Sequence, residues 1–112
     1  MDKIVVTGGK KLKGEVVISG SKNATLPIQV ATLLTDAECT LLNVPRLRDI
    51  NTMNDVLRAI GMEIKEKNDN YVFQAKGKLR NMAPYDLVKT MRASVLVVGP
   101  LLARLGEAKV AL

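Results

Sequence analysis

The spacing of apolar positions changes several times along the chain, and each change marks an element. "KIVVT" (Lys3 to Thr7) and "EVVIS" (Glu15 to Ser19) are short runs of branched aliphatics that predict two strands. The Gly-bounded basic connection "GGKKLKG" between them points to a hairpin of unspecified turn type. After the loop Gly20-Ser21-Lys22-Asn23 the period lengthens. Leu26, Val30, Leu33 and Leu34 recur at helical spacing, so a helix is expected from Asn23 or Ala24. Pro27 is expected in its first turn, where a missing N–H costs nothing. "CTLLNVP" (Cys39 to Pro45) reads as a short buried strand closed by proline. "RLRDINT" leads into a helix with Met53, Val56, Leu57 and Ile60 on one face, Asp49 or Asn51 to cap it and Gly61 to stop it. "MEIKEK" and "YVFQAK" alternate around "NDN", which predicts a hairpin. "APYDLVKTMRASVLVVGPLLARLG" predicts one long apolar helix, or two broken at Gly99-Pro100. "EAKVAL" begins a last strand, and an apolar strand at a chain end leaves its edge uncovered, so a longer parent protein is expected.

From Asn23 the order is helix, strand, helix, strand, strand, then helix and strand again. A β-α-β-α-β-β unit thus occurs once and starts to repeat, and such alternation predicts an α/β layered fold with helices packed on sheets. The length, 112 residues, suits one small domain or a piece of a larger one. Apolar residues reach 47% but aromatics only 3%, so the core is expected to be aliphatic.

Charge and chemistry narrow the function classes. Lys and Arg outnumber Asp and Glu by 17 to 11, a formal charge of +6 that favours anionic partners. The basic residues are scattered and no aromatics are placed for base stacking, which argues against nucleic acid. With no histidine, a His general base, a Ser-His-Asp triad and most zinc sites are excluded within these residues. The one cysteine, Cys39, cannot form an internal disulfide. The longest apolar run, Ala93 to Ala103, falls short of the ~20 residues needed to span a bilayer, and "MDKIVV" lacks a signal core. A soluble, cytoplasmic protein with no membrane partner is the expectation.

Lys22 and Asn23 stand at the mouth of the first helix. The first N–H groups of a helix are unpaired and its dipole is positive there, so a phosphate or carboxylate is stabilised, and a lysine adds a full charge. Gly20 allows close backbone approach, and Asn23 offers both donors and an acceptor to a hydroxyl. The plainer alternative has Ser21 or Asn23 capping the helix and Lys22 solvated. Arg92 follows Lys89 by three residues, on a shared helical face at the rim of the core, where its fork suits a phosphate; covering apolar surface would explain it equally. Cys39 reads as a small hydrophobe, with no basic neighbour in sequence to lower its pKa. Asp49 complements its helix dipole and is expected to pair with Arg46 or Arg48. "TGGKK" and "VVGP" match neither GxGxxG nor GxxxxGK[ST].

Three stretches carry a resemblance: "LKGEVVISGSKNATLPIQVATLL", "LLNVPRLRDINTMNDVLRAIGMEI" and "MAPYDLVKTMRASVLVVGPLLARLGEAKVAL". Together they resemble the opening portion of the enolpyruvyl transferases, specifically the UDP-N-acetylglucosamine 1-carboxyvinyltransferases; "SGSKNA" and "YDLVKTMRAS" are the specific parts. The resemblance implies transfer of the enolpyruvyl group of phosphoenolpyruvate to the 3-hydroxyl of UDP-N-acetylglucosamine, releasing phosphate through a tetrahedral phospho-ketal, in the first committed step of peptidoglycan synthesis. It implies two lobes, each an inside-out α/β barrel of three βαβαββ units, without a cofactor. Residues 1–21 would supply strands to the second lobe, and 22–112 the first part of the catalytic lobe, whose partner is the remainder of its own chain. Lys22 matches the lysine that grips phosphoenolpyruvate, Asn23 the asparagine that contacts the reacting centre and the sugar nucleotide, and Arg92 the arginine assigned to UDP-N-acetylglucosamine; no metal is implied. The family's "PGGC" or "PGGD" loop, whose Cys or Asp handles the proton and meets fosfomycin, would lie beyond Leu112, so Cys39 does not match it and these residues alone are expected to be inactive. The related 5-enolpyruvylshikimate-3-phosphate synthases usually carry "GSKSxSNR" where this chain has "GSKNATLP". A non-catalytic anion- or nucleotide-binding module is the alternative from another class.

Overall fold

The first helix starts where a serine side chain can satisfy it. In the computed structural model, which describes residues 1–111, Ser21 is extended and its Oγ accepts from the Ala24 N–H at 3.3 Å. The Ser21 carbonyl accepts from the Thr25 amide at 2.9 Å and the Thr25 hydroxyl at 2.7 Å. Helix α1 therefore spans Lys22–Ala31, starting at Lys22 itself, and tightens into a 3-10 turn over Thr32–Leu34. Pro27 is its sixth residue rather than part of the first turn. Having no N–H, it leaves the Asn23 carbonyl without the bond that the next turn normally supplies.

Strand β1 (Cys39–Leu41) leads through Asn43, held at φ 54°, to α2 (Arg48–Ile60). The cap position of α2 is Leu47, with no side-chain bond, so neither Asp49 nor Asn51 caps it; Asp49 lies inside the first turn. Gly61 ends the helix as the spacing predicts, at φ 122°, its N–H reaching the Leu57 and Arg58 carbonyls. Strands β2 (Glu63–Lys67) and β3 (Asn70–Gln74) form the predicted hairpin, with Asn68 left-handed at φ 57° in the turn. The three-stranded sheet has the order β1-β3-β2, antiparallel throughout, pairing Cys39 with Phe73 and Ile64 with Phe73. Period-2 alternation puts Leu41, Ile64, Tyr71 and Phe73 on the face that joins the core. Helix α2 packs against β2 and α1 packs on α2, and Met53, Val56, Leu57 and Ile60 are all fully buried. The core is a largely aliphatic α/β layer with two aromatics, Tyr71 and fully buried Phe73, on the sheet.

Two expectations are corrected. Residues 3–7 and 15–19 form no strands; Ile4 and Val17 are 93% and 91% exposed. A lone two-stranded ribbon is marginal in water, and the apolar residues of both runs stay largely exposed here. The segment from Ala83 to Gly106 breaks at Lys89–Met91, not at Gly99-Pro100, giving α3 (Tyr85–Val88), a 3-10 stretch Arg92–Val97, and α4 (Val98–Leu105). Buried Ser94 ties the break together, because its hydroxyl lies within hydrogen-bonding reach of the Val88 and Met91 carbonyls, which also accept the Met91 and Ser94 backbone N–H groups. Pro100 is the third residue of α4, in its first turn, where proline is best tolerated. After Gly106, Lys109 makes a single parallel bridge to Met82. The expected continuation of that strand to Leu112 lies, at its last residue, outside the described residues.

Candidate functional site

The fold brings two helix beginnings together. Lys22 is the first residue of α1 and Asp49 the second of α2; the Lys22 Nζ stands 2.9 Å from Asp49 Oδ2. Both side chains are about half-buried, 43% and 40% exposed. Unpaired N–H groups and the positive ends of two dipoles thus lie near one ammonium. The pairing of Asp49 corrects the sequence expectation. Arg46 instead bonds Asp69, Nε to Oδ1 at 2.8 Å, and that hydrogen bond, reinforced by the Asp69 charge, raises its pKa further above the ordinary arginine value. Arg48 remains exposed. Asn23 is exposed beside Lys22 on the same turn.

The glycine before the cap is required by the protein's own packing. A Cβ on Gly20 would lie 1.9 Å from the Asn43 carbonyl oxygen, so this loop rests directly on the connection from β1 to α2. A second tie between the helices lies deeper. Gln29 of α1 and Asn54 of α2 are buried; Gln29 Nε2 donates to Asn54 Oδ1 at 2.7 Å and to the Ile50 carbonyl at 3.2 Å. Gln29 Oε1 has no hydrogen-bond partner among the described residues.

Arg92 opens the 3-10 stretch that packs against α1, is exposed, and makes no ion pair among the described residues. It borders a groove of about 430 Å³ with Tyr85, Val88, Lys89 and Met91. The helical face predicted for Lys89 and Arg92 does not exist, because the chain breaks between them; Lys89 bonds Asp86 at 3.0 Å and lies over the Tyr85 ring. Among the described residues, no hydrogen bond or ion pair joins Arg92 to Lys22 or Asn23. Cys39 is half-buried against the core, its thiol 3.6 Å from the Ala37 carbonyl. Sequence reading missed Asp49 as the partner of Lys22 and missed the Gln29–Asn54 pair. The second had a legible signal: a glutamine beside Val30 on the apolar stripe, and an asparagine four residues after Ile50. Among the described residues, no cluster of metal-ligating side chains occurs, and no helix is long and apolar enough to cross a membrane.

Comparison with known proteins sets this geometry in context. Residues 6–112 match the family model described as EPSP synthase (3-phosphoshikimate 1-carboxyvinyltransferase). Over 113 residues the chain is 54% identical to the UDP-N-acetylglucosamine 1-carboxyvinyltransferase of Trichlorobacter lovleyi and 57% identical to that of Geotalea daltonii. Over 112 residues it is 55% identical to the one from Nitratidesulfovibrio vulgaris. Each match takes in all of this chain and 27% of the relative, so the chain spans about a quarter of their length. The crystal structure of the enolpyruvyl transferase NikO from Streptomyces tendae superposes with a TM-score of 0.74 at 25% identity, covering 88% of this chain and 23% of that one.

Proposed function

The chain belongs to the EPSP synthase (3-phosphoshikimate 1-carboxyvinyltransferase) family, and from that premise we propose that it forms the opening part of an enzyme that transfers enolpyruvyl to UDP-N-acetylglucosamine. In this reading the sugar 3-hydroxyl oxygen bonds to C2 of phosphoenolpyruvate while C3 takes up a proton. Loss of a proton from C3 then expels phosphate from C2, leaving the enolpyruvyl ether that peptidoglycan synthesis consumes. The names of the relatives at 52–57% identity support this acceptor over shikimate 3-phosphate, which the family model's own name suggests as the second reading.

The observation that carries the site is the position of Lys22. Its ammonium stands at the first turns of two helices, where a multiply charged anion meets backbone donors as well as a cation. Desolvating such an anion without matching positive charge is costly, and preorganised donors offset that cost as water leaves. Asn23 then hydrogen-bonds the reacting centre and the sugar nucleotide, and Arg92 holds the UDP-sugar from its exposed position above the groove. The exposed apolar segments 3–7 and 15–19 support placing residues 1–21 on a second lobe and residues 22–112 in the first part of the catalytic barrel. A cytoplasmic setting follows from the substrates, two phosphorylated metabolites that do not cross membranes unaided.

The test is phosphate release by the full-length enzyme with phosphoenolpyruvate and either UDP-N-acetylglucosamine or shikimate 3-phosphate. Lys22→Ala is expected to lower turnover with the UDP-sugar by ~10²–10³ with the fold intact. Turnover with shikimate 3-phosphate alone, or near-normal turnover without Lys22, would refute the assignment.

A further inference from the structure

We infer that Asp49 is the positioning residue for Lys22, holding its ammonium in the orientation that receives the anionic donor substrate. The inference rests on the reading of Lys22 given above, and the structure adds the reason for it. A lysine on a four-carbon stem is a mobile point charge with three N–H donors. Here one donor is committed to Asp49 Oδ2 at 2.9 Å, which fixes the stem and leaves the other two for a ligand. Asp49 is itself held. Its neighbour Ile50 is buried in the core and gives its carbonyl to Gln29 of α1, which also bonds Asn54 one turn further along α2. The first turn of α2 is thereby locked to α1 by a buried amide pair, and Asp49 extends from that turn to the first residue of α1.

The ion pair makes little sense as a stabiliser alone. Pairs as exposed as this contribute little to folding. Nor does it attract an anion, since the carboxylate cancels the lysine's formal charge. If electrostatics alone mattered, removing Asp49 would strengthen binding of phosphoenolpyruvate. Positioning predicts the opposite sign, and that separates the two.

The experiment is steady-state kinetics on the full-length enzyme at saturating UDP-N-acetylglucosamine, with phosphoenolpyruvate varied and phosphate release followed, for wild type, Lys22→Ala, Asp49→Asn, Asp49→Ala and Asp49→Glu, with a thermal melt of each. Asp49→Asn and Asp49→Ala are expected to raise KM for phosphoenolpyruvate about 10-fold and lower kcat by up to roughly 10², the scale of an ångström-sized misplacement. Asp49→Glu, which keeps the charge, is expected to recover part of both. A merely structural role would lower the melting temperature and the active fraction while leaving KM unchanged. An unchanged KM, a lower KM, or no recovery with glutamate would overturn the inference while the reading of Lys22 stands. Normal activity of Lys22→Ala would overturn that reading instead.

Discussion

Gly20→Ala tests whether the loop that delivers Lys22 is set by its contact with the β1–α2 connection. The new methyl carbon would lie 1.9 Å from the Asn43 carbonyl oxygen and 3.0 Å from Pro45 Cδ. Ordinary contact begins at 3.4 Å, so loop and connection must separate by about 1.5 Å. Neither side yields easily. The partner atom is backbone, Asn43 is already left-handed at φ 54°, and its N–H is tied to Asn70 Oδ1 at 3.2 Å. Ser21, the helix cap, and Lys22 follow immediately, so the displacement passes to the ammonium. Overpacking of this size typically costs about 1–3 kcal/mol of stability. An ångström-scale shift of a substrate-holding group costs on the order of 10² in rate. Both can be read on one preparation of the full-length enzyme, by thermal melt and by kcat/KM for phosphoenolpyruvate. An alanine variant with unchanged melting temperature and unchanged kcat/KM would refute the claim that this contact sets the loop.

Three further outcomes are expected. Gln29→Leu removes the side-chain donor to Asn54 Oδ1 in a fully buried setting, and is expected to destabilise by about 1–3 kcal/mol in chemical denaturation; a neutral result would show that the amide pair does not lock the helices. Cys39→Ala is expected to leave turnover and fosfomycin response as they were, since the thiol packs against the core; a large loss would place that strand at the chemistry. The Glu63 carboxyl is held below its ordinary pKa of 4.5, first by the hydrogen bond from Lys76 and then by Lys65. A depressed folded pKa contributes stability that is present above 4.5 and is lost as the pH falls through the folded value. Carboxyl titration by NMR should show the low midpoint rising in Lys76→Ala, and salt should weaken the effect at so exposed a site; an identical midpoint in both would remove Lys76 as the cause.

Much of this fold is local, and so was readable. The spacing of Met53, Val56, Leu57 and Ile60 marks a buried face because residues three and four apart lie together on any helix. Gly61 and Asn68 take positive φ, where side chains are disfavoured or short and polar, and the residue types announce it. The motifs "SGSKNA" and "YDLVKTMRAS" carry the resemblance to the family, whose model matches residues 6–112. What three-dimensional packing decided lies between distant segments. Nothing local distinguishes Lys22 as the partner of Asp49 from Arg46 or Arg48, which are nearer in the chain; the choice follows from how α1 lies on α2, 27 residues apart. The break at Met91 is similar. Helical periodicity runs through "VKTMRASVLVV" without interruption, and the bend is held by the buried Ser94 hydroxyl and by backbone N–H groups at the Val88 and Met91 carbonyls. The strands read at 3–7 and 15–19 mark the other boundary, because alternation records which face is apolar and says nothing of what will cover it. Local sequence therefore determined which elements form and which faces are buried, while the meeting of charges and backbones across those faces was set by tertiary packing, since electrostatic and steric partners are chosen by distance in space and not along the chain.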